Sequence, residues 1–122
     1  MLLAEDNAIN ALLASVVLKK AGHTVVVVTS GRGALDALER EQFDLVLMDV
    51  QMPEMDGLEA TAAIRRAELV TEWHIPIIAI TAHAMAEDRQ RCLDAGFDGY
   101  LAKPFTPPQL TEAMEMVLLA TA

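Results

Sequence analysis

Five short apolar runs punctuate the chain: Leu2-Leu3-Ala4, Thr24 to Val28, Leu45 to Met48, Ile75 to Ile80 and Tyr100-Leu101-Ala102. Continuous Leu, Val, Ile and Met without a polar alternation reads as a strand covered on both faces, the kind found in parallel sheets. Stretches of helical periodicity separate the runs. Ile9, Leu12, Leu13, Val16 and Val17 recur at helical spacing, and Gly22 follows as a stop. A second helix is predicted from about Gly33 to Glu41 around Ala34, Leu35 and Leu38, and a third from near Gly57 with Leu58, Ala62 and Ile64. The fourth runs from about Ala84 to Ala95 and ends at Gly96, with Met85, Ala86, Cys92 and Leu93 as its inward face. In the fifth, Thr106 is the cap, Pro107 takes the first helical position and Gln109 completes a capping box. Leu110, Ala113, Met114, Val117 and Leu118 form its apolar stripe, and the Met114 and Met116 pair reads as core and rim packing. Strands alternating with helices define an α/β class with a parallel sheet covered on both sides.

A chain of 122 residues is enough for one domain, 1–122, with a core that needs no covalent staple. Cys92 is the single cysteine, which excludes an internal disulfide and fits a reducing compartment. His23, His74 and His83 fall on separate segments without ligand spacing, so no zinc framework is present. With 18 acids against 9 Lys and Arg, the net charge of −9 opposes binding to nucleic acid or to anionic lipid. No run approaches the length of a membrane span, and the start lacks the features of a signal peptide. The expectation is a soluble, cytoplasmic domain. The first run has almost nothing before its terminal acids, which predicts that the domain is excised from a larger protein.

The polar residues at the ends of these runs carry the chemistry. The first run ends in Glu5-Asp6, the third in Asp49, the fourth in Thr81 and the fifth in Lys103-Pro104. Parallel strands joined by helices bring their carboxyl ends to one rim, where ligands collect in open α/β sheets. Taken singly, Asp49 is more often a cap for the turn into Met52-Pro53, which is the usual role of a strand-end Asp. Three carboxylates on one rim repel by roughly 4 kcal/mol per pair at about 4 Å and an effective dielectric near ~20, so a cation must offset them. Oxygen donors without thiolate or imidazole suit Mg²⁺. A metal beside a lysine and a hydroxyl can hold a phosphoryl group, and a carboxylate such as Asp49 can accept it as an aspartyl-phosphate.

The stretches Leu3-Ala4-Glu5-Asp6-Asn7, Leu47 to Gly57 (Leu-Met-Asp-Val-Gln-Met-Pro-Glu-Met-Asp-Gly), Ile80-Thr81-Ala82 and Lys103-Pro104-Phe105 resemble the receiver domain of two-component response regulators. The wording around Met52 to Gly57 and Thr81 to Ala84 is most similar to receivers of hybrid sensor histidine kinases. The resemblance covers essentially the whole chain. It implies a flavodoxin-like, doubly wound five-stranded sheet in the order 2-1-3-4-5. It further implies that Asp49 accepts a phosphoryl group from a phosphohistidine. Asp6, Asp49 and the backbone carbonyl of Gln51 would ligate Mg²⁺, with Glu5 acting through a bound water. Thr81 and Lys103 would contact the phosphoryl oxygens, and Tyr100 would follow Thr81 on activation. The implied partners are a sensor histidine kinase and, in a phosphorelay, a histidine phosphotransfer domain. The implied catalysis is that of the receiver's own phosphorylation and dephosphorylation, and the implied output is a change in the face of helix four, strand five and helix five.

Alternatives remain at this point. A haloacid-dehalogenase-type phosphatase also uses a strand-end aspartate, but it requires a second acid two residues on, where Gln51 stands. A binding-only receiver would take no phosphate. Trp73 is expected to anchor the loop before the fourth strand, Cys92 to be a small buried hydrophobe, and His83 to tune access to the pocket. The Lys103-Pro104 bond is expected to be cis, as in the family.

Overall fold

The computed structural model describes residues 1–52, 55–70, 74–82, 86–103 and 105–121. Strands and helices alternate strictly: β1 (Leu2–Ala4), α1 (Ala8–Lys20), β2 (Val26–Val28), α2 (Gly31–Arg40), β3 (Val46–Asp49), α3 (Gly57–Glu68), β4 (Ile77–Thr81), α4 (Ala86–Ala95), β5 (Gly99–Ala102) and α5 (Pro107–Thr121). The strands form one parallel sheet in the order β2-β1-β3-β4-β5, as the motif resemblance implies.

Alternation along each central strand builds two cores. Leu2, Ala4, Val46, Met48, Ile77 and Ala79 face α2, α3 and α4, while Leu3, Leu47, Ile78 and Ile80 face α1 and α5. Because both faces are covered, β3 and β4 are buried along their whole length, which is why their sequences run apolar without interruption. Each such Leu or Ile contributes roughly 1.5–3 kcal/mol by leaving water.

Local signals place the helix ends. The side chains of Asn7, Ser30 and Asp56 accept hydrogen bonds from the backbone N–H groups of Asn10, Gly33 and Glu59, capping α1, α2 and α3. Thr106 and Gln109 form the expected reciprocal box, with Thr106 N–H donating to Gln109 Oε1 at 2.9 Å and Gln109 N–H donating to Thr106 Oγ1 at 3.4 Å. Gly22 has a φ of +94° after α1 and Gly96 a φ of +109° after α4, the left-handed conformation that ends a helix at little cost only for glycine.

Three packing expectations change. The apolar stripe that predicts α1 is not its buried face: Ile9, Leu12, Leu13 and Val16 are 70, 64, 61 and 42% exposed, whereas Ala11, Ala14, Ser15 and Leu18 pack on the sheet. Small side chains there let the helix lie close to β1 and β3, and the larger ones turn to solvent. In α4, Cys92 is buried as expected, but Leu93 is 47% exposed, because the next position rotates about 100° away from the core. In α5, Leu110, Met114 and Val117 are buried, whereas Leu118 and Met116 are exposed at the rim. Trp73, His83, Met85 and the Lys103-Pro104 bond lie outside the described residues.

Candidate functional site

The sheet register brings the strand-end residues together. Asp49 pairs with Ile80 across β3 and β4, and Thr81 pairs with Ala102 across β4 and β5. Glu5 leaves β1 with its N–H bonded to Val28 O at 3.0 Å, and Lys103 leaves β5 with its N–H bonded to Thr81 O at 2.8 Å. Carboxylate oxygens of Glu5, Asp6 and Asp49 all lie within 4.8 Å of one another, as the sequence reading expects.

Burial is unequal within this cluster. Glu5 and Asp49 are 3% and 5% exposed, while Asp6 is open to solvent. Lys103 Nζ donates to Asp49 Oδ2 at 2.7 Å and to Glu5 Oε2 at 3.0 Å, spanning the two buried acids. Backbone donors complete their shells: Gln51 N–H reaches Asp49 Oδ1 at 3.0 Å and Asn7 N–H reaches Glu5 Oε1 at 3.2 Å. Three carboxylates against one ammonium leave an excess of negative charge on the rim.

Burial pushes the Glu5 carboxyl above its ordinary range, and the adjacent Asp49 adds to this against the opposing pull of Lys103. Burial alone would lower Lys103, but the Asp49 and Glu5 carboxylates outweigh it and hold the ammonium above its ordinary value. The donor set is all oxygen, clustered, and short of positive charge, which fits a hard divalent cation.

Thr81 is buried at the end of β4, one residue beyond the partner of Asp49. Tyr100 is half-buried and packs against the core below α3 and α4, on the face that Ala79 and Thr81 share by strand alternation. Burial, reinforced by Cys92 and Asp88, raises its hydroxyl above the ordinary value.

Two features were not read from the sequence as site elements. Asn7 is the cap of α1 and at the same time the donor that orients Glu5, so the helix start and the acid are one local structure. A groove of about 420 Å³ between α1 and the segment after β5 has Leu13, Val17 and Phe105 in its wall, with Glu5 and Lys103 contributing to the same lining. The signal for it is the excess of large apolar residues on α1 over what a single buried stripe uses.

The family model of the response regulator receiver domain matches residues 1–115, and the chain belongs to that family. This removes the phosphatase alternative. Within the family it is similar to receivers of hybrid histidine kinases. It is 46% identical over 115 residues to the sensor protein GacS of Pseudomonas syringae, covering 93% of this chain and 13% of that protein. It is 42% identical over 137 residues to histidine kinase 1 of Arabidopsis thaliana, covering 85% of this chain and 11% of that protein. The chain therefore spans a small part of these relatives. Among solved structures, the receiver domain of a Pseudomonas aeruginosa sensor histidine kinase, with magnesium coordinated in its active-site cleft, aligns with a TM-score of 0.86 and 39% identity over 96% of this chain and 94% of that one. A Vibrio cholerae chemotaxis response regulator aligns with the same TM-score, 31% identity and 95% coverage of both chains.

Proposed function

We propose that this receiver accepts a phosphoryl group on Asp49 from a phosphohistidine, with Mg²⁺ held by Asp6, Asp49 and the backbone carbonyl of Gln51, and by Glu5 through a bound water. The observation that carries the reading is the buried Asp49 carboxylate at the centre of the acid cluster, 2.7 Å from Lys103. Bound Mg²⁺ would neutralise charge on the phosphoryl oxygens and on the acids. A carboxylate oxygen of Asp49 attacks phosphorus, the P–N bond to the donor imidazole breaks, and its electron pair returns to the ring nitrogen. Lys103 keeps an ammonium beside the acceptor oxygen through this step. Thr81, on the neighbouring strand end, offers a hydroxyl to the transferred group, and Tyr100 on the same face follows it, changing the surface of α4, β5 and α5. The same pocket would serve hydrolysis of the acyl phosphate.

The donor has to lay a histidine over this rim. The exposed stripe of Ile9, Leu12, Leu13 and Val16 starts two residues after Asn7 and leads along α1 from the site, which supports α1 as the seat of a helical donor: a histidine kinase or a histidine phosphotransfer domain. The short coverage of the curated relatives supports a single receiver domain, 1–122, set within a longer hybrid kinase. No helix among the described residues is long and apolar enough to cross a membrane. The buried free thiol of Cys92 supports placement in the cytoplasm.

The test is intact mass after incubation with acetyl phosphate and Mg²⁺, for the wild type and Asp49→Asn. A single adduct that is Mg²⁺-dependent, labile to hydroxylamine and absent from the variant is expected. A folded wild type that takes no adduct would leave a binding-only receiver.

A further inference from the structure

At the other end of the sheet from Asp49, α2 and α3 part to leave an apolar groove of about 560 Å³, within the roughly 300–1,000 Å³ of ligand-binding clefts. Its cause is local. Near their N-termini the two helices touch at Gly31, where a Cβ would stand 2.4 Å from Met55 O and 3.0 Å from Ala60 Cβ. Further along, α3 turns Ala63 and Ala67 toward Leu35 and Leu38 of α2. The methyl groups of Ala63 and Ala67 leave space between the two helices, so Phe43 and Ile75 form the floor of an open slot.

The groove has a charged margin. Asp36, Glu39 and Glu41 of α2 and its end contribute to its lining against the base Arg32, which stands 4.0 Å from Asp36 in an exposed pair, while Glu68 on the opposite wall is already paired with Arg65 at 2.6 Å. Beyond Glu68, Leu69 and Val70 stand in solvent at the same end of α3.

We propose that this groove docks a short amphipathic helix of a partner protein, with Leu-sized side chains on one face and Lys or Arg flanking them. The apolar floor and alanine wall accept the anchors, and the acidic margin matches the flanks. A second copy is the poorer occupant, since a net charge of −9 on each chain opposes the approach. The groove shares no lining residue with the acid cluster, and about six residues of strand and lead-in at ~3.3 Å each separate Phe43 from Asp49.

The probe is a fluorescein-labelled amphipathic Leu/Lys peptide of about 15 residues, long enough to form a helix on binding, titrated into the whole chain and followed by anisotropy. A63L/A67L, which fills the slot, is expected to weaken binding by about tenfold or more, and D36K/E39K to weaken it while flattening its salt dependence. Leu12→Ser with Leu13→Ser on α1 is expected to leave it unchanged. Ala67 is exposed, so A67L alone repeats the test if the double variant loses its thermal transition. Equal binding by wild type and groove variants, loss of binding only in the α1 variant, or no binding by the wild type would each overturn the proposal. So would self-association of the free chain that A67L abolishes, which would make a second copy the occupant.

Discussion

Lys103 Nζ lies 2.7 Å from Asp49 Oδ2 and 3.0 Å from Glu5 Oε2, so one ammonium holds two buried carboxylates that would otherwise face each other unpaired. Removing it leaves like charges in a poorly hydrated pocket. Lys103→Met is expected to lower stability by about 1–3 kcal/mol in metal-free buffer. The same variant has a more negative cluster, so added Mg²⁺ should raise its melting temperature more than that of the wild type. Thermal melts of both proteins in EDTA and in Mg²⁺ check this; an equal Mg²⁺ response would show that Lys103 and the cation do not share the carboxylates.

Glu5 carries the opposite balance, since burial and Asp49 hold its folded pKa above the ordinary carboxylate value. A folded pKa above the unfolded one means that the fold binds the proton more tightly, so stability falls as the pH rises from the ordinary carboxylate value and the full cost is reached above the raised one. Glu5→Gln is therefore expected to melt a few degrees above wild type at neutral pH in EDTA. The gain should shrink as pH falls from the raised Glu5 value toward the ordinary carboxylate value and vanish below it, where folded and unfolded wild type are both neutral. In Mg²⁺ the order should reverse, because the variant has lost one oxygen donor of the cluster. Melting curves at a series of pH values, with and without Mg²⁺, give the sign directly.

The strand-end site residues are legible in the sequence because their geometry is topological: parallel strands put Glu5, Asp49, Thr81 and Lys103 on one rim whatever the side-chain packing. Caps were equally legible at Thr106 and Gln109, where the chemistry is confined to four residues. Side-chain facing was harder. On α1, periodicity places Ile9, Leu12, Leu13 and Val16 in one stripe, but Ala11, Ala14 and Leu18 form a second stripe with the same period. Hydrophobicity favours the first and closeness of approach to the sheet selects the second. Leu93 misled for a related reason, being adjacent to the buried Cys92 on a helix with few apolar residues. The groove between α2 and α3 is not legible in the sequence, since it depends on how closely the two helices pack beyond their contact at Gly31.

Arg65 ties α3 to the lead-ins of two strands. Its guanidinium donates to Gly96 O at 2.9 Å, Ile75 O at 2.8 Å, and to Glu68 Oε1 and Asp98 Oδ2 at 2.6 Å each. Glu68 and Asp98 in turn accept from the N–H groups of Ile75 and Ile77. Arg65→Met strips four acceptors at once, while His74 stays 2.6 Å from Asp98. A loss of about 2–4 kcal/mol is expected, and Arg65→Lys should recover little of it, since one ammonium cannot reproduce a planar fork bonded to four groups. Urea denaturation at constant m-value reads the loss. Adduct formation with acetyl phosphate at low temperature should persist, because the tie lies at the far end of the sheet from Asp49.

The exposed face of α1 separates two ways of delivering phosphate to Asp49. A small donor such as acetyl phosphate needs only the pocket, whereas a phosphorylated helical domain also has to rest on the protein. In the proposed docking, Ile9, Leu12, Leu13 and Val16 would give it an apolar seat beside the rim, and all four are exposed. Leu12→Ser with Leu13→Ser is thus expected to change stability by no more than about 0.5 kcal/mol. Acetyl phosphate should label the variant at the wild-type rate. Transfer from a phosphorylated histidine phosphotransfer domain should slow by about tenfold or more, chiefly through weaker binding of the donor. Rapid-quench measurement of both reactions on both proteins decides the matter: equal slowing would place the defect in the pocket, and no slowing of either would move the donor's seat off α1.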